Sequence, residues 1–111
     1  LPHLDEQQFN ELRELMADDF GTLIEAYLRD SSERLQLLTQ ACAEQDLASA
    51  KRQAHSLKGS SSNVGAATLA EHCQRLEQLA RGGEVAAVLA ELSALQQELA
   101  NVQLELRRHL A

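Results

Sequence analysis

The chain has 111 residues, 44% of them hydrophobic, and carries one Tyr, two Phe, no Trp and a single Pro at position 2; at this length folding hides roughly 65% of the unfolded surface, enough for one modest core. Leu, Ala, Glu and Gln dominate, all strong helix formers, which excludes a β-sandwich or barrel. Seventeen acids against ten Lys and Arg give a net charge of −7, repelling phosphate backbones and anionic lipid, and the longest apolar run, Val85 to Ala90, is far short of the roughly 18 residues of a membrane span, so neither nucleic acid nor membrane is an expected partner.

The first amphipathic segment starts at Asp5, a residue suited to N-capping, and carries Phe9, Leu12, Leu15 and Met16 before stopping near Asp18-Asp19. A long second segment places Phe20, Leu23, Ile24, Tyr27, Leu28, Ser31, Leu35, Leu38 and Cys42 at spacings of three and four, ending by Gln45. Asp46 caps the third, whose stripe of Leu47, Ala50, Ala54, Leu57 and Ser61 is narrow and made mostly of small residues; the run from Ser60 to Gly65 is expected to weaken or end it. The fourth covers about Ala66 to Arg81, with Leu69, Cys73, Leu76 and Leu79 inward, and closes at Gly82-Gly83. The fifth, from Glu84 to near the end, repeats Val85, Val88, Leu92, Leu95, Leu99, Val102, Leu106 and Leu110. Short connections make sequential helices antiparallel neighbours. The expected fold is all-α: an up-and-down antiparallel four-helix bundle with an additional short N-terminal helix, one domain over residues 1–111.

Charge is unevenly laid out along these segments. Between Asp46 and Glu71 there is no acid but three bases, Lys51, Arg52 and Lys58, so this stretch is +3 and the rest of the chain −10. A basic island in an acidic protein points to a local anion site. At 100° per residue His55 lies about 130° from the centre of the third segment's apolar stripe and therefore faces outward. Lys51, Lys58, Gly59 and Ser62 share its face, with Arg52 on the flank. A glycine within a helix costs about 1 kcal/mol against alanine, and beside a reactive side chain it leaves room for an approaching group. Such a histidine suits phosphoryl acceptance: neutral imidazole is nucleophilic near pH 7, Lys58 offsets the charge of the product, and phosphoryl transfer demands mostly positioning and charge stabilisation.

The stretch Ala54-His55-Ser56-Leu57-Lys58-Gly59-Ser60-Ser61-Ser62-Asn63-Val64-Gly65 resembles the signature of histidine phosphotransfer (HPt) domains: His, two residues, Lys-Gly, a run of small residues, then Gly. Those domains are helical bundles of this length, so the resemblance spans essentially the whole chain. It implies that His55 is the phosphorylated residue, Lys58 the phosphate-facing cation, Gly59 the clearance residue and Gly65 the turn into the next helix. Many HPt domains place Gln 22 positions after the His to bond the imidazole; here that position is Glu77, as in related kinase-borne phosphotransfer domains. A carboxylate there would fix the tautomer that frees Nε2; alternatively, Glu77 simply pairs with Arg81 one turn on.

The family docks its partner through apolar residues near the His, supplied by the first two helices; the candidates are Met16, Phe20, Leu23 and Tyr27, with Phe20 and Tyr27 preferred, although each also fits the core. The resemblance implies a phosphorelay intermediate, not an enzyme: His55 would take a phosphoryl group from the receiver domain of a hybrid sensor kinase and pass it to the Asp of a response regulator receiver domain. No cofactor is expected; magnesium belongs in the partner's acidic pocket. His3, His72 and His109 lack metal-ligand spacing, there is no Walker or G-x-S-x-G motif, and Cys42 and Cys73 are too few for a disulfide framework. A monomer in the cytoplasm is expected, with no signal peptide read at the N-terminus. The rival reading is a helical adaptor that pairs through the seam of its C-terminal helix, without phosphotransfer.

Overall fold

The computed structural model describes residues 3–110 and contains the helices α1 (Glu6–Met16), α2 (Phe20–Ala43), α3 (Leu47–Asn63), α4 (Ala67–Arg81) and α5 (Val85–Arg108), with one 3₁₀ turn at Ala17–Asp19 between α1 and α2. Two starts follow the sequence directly. The Asp5 carboxylate accepts from the Gln8 N–H at 2.9 Å, and that of Asp46 from the Ser49 N–H at 3.1 Å and the Ser49 hydroxyl at 2.7 Å; these bonds hold the Asp46 carboxyl below its usual range. α2, α3 and α4 end alike. The third residue past each helix donates five residues back, Asp46 to Ala41, Ala66 to Ser61 and Glu84 to Leu79, across a left-handed residue. That residue is Gly65 (φ 84°) after α3 and Gly83 (φ 75°) after α4, but Gln45 (φ 56°) after α2.

The four longer helices form the expected bundle. Cross-helix hydrogen bonds run in opposite directions along each pair, Tyr27 to Ser61 and Arg34 to Gln53 between α2 and α3, Thr39 to Gln96 and Ser31 to Gln103 between α2 and α5, which makes these neighbours antiparallel. The core between them is aliphatic, built on Ile24, Leu38, Leu57, Leu69, Leu76, Leu95, Leu99 and Leu106. α1 closes the end of the bundle where α3 stops and α4 starts. Phe9 is fully buried there, edge-on to Phe20 with ring centroids 5.3 Å apart, and the Asp5 N–H donates to the Gly65 carbonyl at 2.7 Å.

α3 ends at Asn63, within the Ser60 to Gly65 run expected to stop it, and its serines are held up to that point because Ser61 is buried against the Tyr27 hydroxyl at 2.8 Å and the Gln8 amide donates to the Ser62 carbonyl at 2.6 Å. Three expectations change. Leu15 does not join the inward stripe of α1; it is 80% exposed. Phe20 and Tyr27, the preferred partner contacts, are buried at 7% and 5%, Phe20 under the Arg13 guanidinium and Tyr27 through its bond to Ser61. The seam of α5 is taken up inside the chain, where Val88, Leu92, Leu95, Leu99, Val102 and Leu106 are all buried, leaving no continuous apolar stripe for the adaptor's coiled coil.

Candidate functional site

His55 stands midway along α3, and the small residues of the buried stripe, Ala50 and Ala54, let α4 approach closely on one side of it. That approach delivers Glu77. Glu77 is buried, and its carboxylate lies 3.2 and 3.3 Å from His55 Nδ1 through its two oxygens, while Lys58 Nζ donates to Oε1 at 3.0 Å and Arg81 donates to Oε2 at 3.3 Å. Both readings of Glu77 from the sequence are therefore realised in one residue, the imidazole contact and the Arg81 pair.

The electrostatics follow from this crowding of donors. Burial alone would raise the Glu77 pKa, but the hydrogen bonds from Lys58 and His55 and their charge outweigh it, holding the carboxyl below its usual range. An ionised carboxylate only accepts, so Nδ1 is the protonated nitrogen of a neutral His55 and the lone pair is left on Nε2. The His55 side chain is 67% exposed. Gly59 stands one turn further along, and a Cβ built there would meet nothing within 4 Å, so nothing inside this chain accounts for the missing side chain. Together these features amount to an oriented, accessible nitrogen nucleophile with a cation one turn away and open space above it.

The remaining candidates fall around this centre. Lys51, Arg52, Ser56 and Arg81 line a shallow groove of about 430 Å³ with His55 and Glu77, though the Arg52 guanidinium turns back to the Ser49 hydroxyl at 2.9 Å. Ser62 is exposed two turns beyond His55. Met16 and Leu23 are half-buried and, with Leu12, Ala26 and Val64, line a second, mostly apolar groove of about 470 Å³ between α1, α2 and the end of α3; the edge of Tyr27 contributes to it. The Lys58 contact with Glu77 was not read from the sequence. A carboxylate 19 positions from a lysine on the next antiparallel helix was the available signal, but register had to be known first. The buried Tyr27 to Ser61 bond had a plainer signal, a serine on an apolar stripe and a single tyrosine to satisfy it. The buried Cys73 thiol is pushed up to about 12 by burial, which keeps it a thiol beside the site.

The family model for the Hpt domain matches residues 22–105. The chain belongs to the Hpt family. The crystal structure of histidine-containing phosphotransfer protein B (HptB) from Pseudomonas aeruginosa PAO1 is 37% identical to it, with a TM-score of 0.95 over 98% of this chain and 95% of that one. A histidine-containing phosphotransfer protein from maize, ZmHP2, is 22% identical and shares the fold, with a TM-score of 0.87 over 97% of this chain and 89% of that one. No curated protein matches. The family and the match to HptB mark the Hpt domain as a histidine phosphotransfer module of phosphorelays, a carrier more than a conventional enzyme. Among the described residues no helix is long and apolar enough to cross a membrane.

Proposed function

We propose that His55 is the phosphorylated residue, and that it accepts its phosphoryl group from the aspartyl phosphate of a hybrid sensor kinase's receiver domain and delivers it to the Asp of a response regulator. The observation that carries this is the pairing of Nδ1 with Glu77 while the rest of the ring stands exposed beside Gly59. In the accepting step a bond forms between Nε2 and phosphorus as the phosphorus–oxygen bond to the Asp breaks and the carboxylate leaves. The proton on Nδ1 stays where it is, so no proton need move as the phosphoryl group arrives or departs. Onward transfer is the same step reversed on a second receiver.

The apolar groove supports docking of the receiver. Its α3 wall, Ser60 and Asn63, lies about 8 and 12 Å along the helix from His55 at 1.5 Å per residue, close enough for one domain to cover both. Met16 and Leu23 are its partly exposed apolar contacts. Magnesium enters with the partner, in the acidic pocket that holds its aspartyl phosphate, and the chain acts as a monomer.

The test is incubation with a phosphorylated receiver domain. Label should appear on this chain, be lost in acid and survive base, as a phosphohistidine does, and be absent from His55→Gln. Label that persists in that variant sinks the assignment.

A further inference from the structure

In the unphosphorylated protein Lys58 is not standing free to meet a phosphate. Its Nζ is held by Glu77 Oε1 at 3.0 Å, on the same carboxylate that takes His55 Nδ1 and Arg81. We propose, resting on the assignment of His55 as phosphoacceptor, that Lys58 is a shared cation: it sits on Glu77 while Nε2 is bare and transfers to the phosphoryl group once Nε2 carries one, returning the charge of Glu77 to the Nδ1–H of the phosphorylated ring.

Charge favours the exchange. Bonding of Nε2 to phosphorus leaves the ring formally positive and sets about two negative charges on its outer edge, so at equal distance the phosphoryl group attracts an ammonium about twice as strongly as a carboxylate does. Glu77 is not abandoned in its buried position, because the ring has become cationic beside it and Arg81 remains on Oε2. Geometry allows it as well. Lys58 is three residues from His55 on one helix face, where Cβ atoms are about 5–6 Å apart, its side chain is 28% exposed, and residue 59 puts no side chain in the way.

Each position of the lysine has its use. On Glu77, it offsets part of the negative charge that the carboxylate turns toward the imidazole. On the phosphoryl group, it leaves Glu77 to favour a protonated ring, from which the phosphoryl group departs with neutral imidazole behind it rather than an imidazolate. Lys51 and Arg52 on α3 and Arg81 on α4 also border the ring, while the buried Cys73 thiol adds no charge. These cations stay in both states; Lys58 is the one tied to Glu77 at the shortest distance.

Phosphoramidate tests this without any receiver: the imidazole nitrogen attacks phosphorus, the phosphorus–nitrogen bond breaks and ammonia leaves. In the intact protein, followed by ¹⁵N and ³¹P NMR on the His55 resonance, we expect Lys58→Gln to raise the titration midpoint of unphosphorylated His55 and Glu77→Gln to lower it, with the Lys58 effect largely gone in the double variant. After phosphorylation a hydrogen-bond coupling between Lys58 Nζ and phosphorus should appear. Phosphohistidine should live severalfold longer near neutral pH in Glu77→Gln and severalfold shorter in Lys58→Gln, with Lys58→Arg recovering part of the loss. A Lys58 resonance unmoved by phosphorylation, or a lifetime and pH profile in Glu77→Gln equal to wild type, overturns the exchange. So does a Lys58→Gln shift of equal size with and without Glu77, which would mean direct repulsion alone. If the coupling appears but no receiver ever phosphorylates His55, the relay reading falls and the exchange stands.

Discussion

His3, His55 and His72 each meet a carboxylate through Nδ1, and the last two end in different circumstances. His55 on α3 reaches Glu77 on α4 at 3.2 Å, and His72 on α4 reaches Glu91 on α5 at 2.7 Å, each through Nδ1, each carboxylate also taking an arginine. The side chain of His55 is 67% exposed and that of His72 only 18%. One turn on from His55 is Gly59 with open space around it; one turn on from His72 is Leu76, fully buried. On the proposed assignment of His55, a carboxylate partner alone does not make a phosphoacceptor: it orients an imidazole, and the side chain beyond that contact is largely open to solvent at His55 and largely covered at His72.

The largest test of that comparison removes each ring in turn. His55→Gln should abolish labelling by a phosphorylated receiver at unchanged helical content, since an exposed side chain contributes little to the core. His72→Gln should label as wild type does but melt lower, by about 1 kcal/mol for a partly buried charge-assisted hydrogen bond. Equal labelling of the two variants would erase the distinction.

Next comes the open space at position 59. Gly59→Gln should fold normally, because nothing lies within 4 Å of the added carbon, and should slow transfer from a receiver by at least about tenfold, some 1.4 kcal/mol of transition-state access. Gly59→Ala should raise helix stability by up to about 1 kcal/mol. Normal transfer by the Gln variant, measured as single-turnover label transfer, removes the clearance argument.

The pH dependence of stability sharpens the contrast at the carboxylate. Because Glu77 has a folded-state pKa below its unfolded one, its contribution is fully present above the unfolded value near 4.3 and is lost as pH falls through the folded value. Urea midpoints of wild type and Glu77→Gln should thus be farthest apart above about pH 5 and converge in acid. Curves that stay parallel down to pH 3 would show that the carboxylate's charge is not what the site uses.

The smallest effect concerns the ends of the helices. α2 ends like α3 and α4 but with Gln45 where they have Gly65 and Gly83, so Gln45→Gly should stabilise by about 1 kcal/mol, the left-handed penalty relieved less the added chain entropy. The same change at Glu44, with φ −86°, should destabilise; thermal melts decide both.

Much of this molecule was legible in one dimension. The periodicity of apolar residues, the caps at Asp5 and Asp46 and the stop at Gly82-Gly83 are local, and helices form from local interactions, so the elements and their boundaries could be read nearly to the residue. The outward direction of His55 was equally local, because it depends only on 100° per residue and the position of the apolar stripe. The motif around it carried the family.

What only the tertiary structure decided are the contacts that depend on how helices sit against each other. Phe20 and Tyr27 share a helix face with Leu23, and no periodicity tells which of the three the groove exposes; the Arg13 guanidinium and the Ser61 hydroxyl, from α1 and α3, cover the first two. The serine-rich end of α3 has poor intrinsic helicity and holds through Tyr27 and Gln8. Glu77 had two readings along the chain, imidazole partner or pair for Arg81, and a carboxylate has oxygens enough for both once α4 packs against α3. Helical phase is a property of one segment, whereas register and approach between segments are set by side-chain packing summed over the whole core, and it is register that joined Lys58 to Glu77.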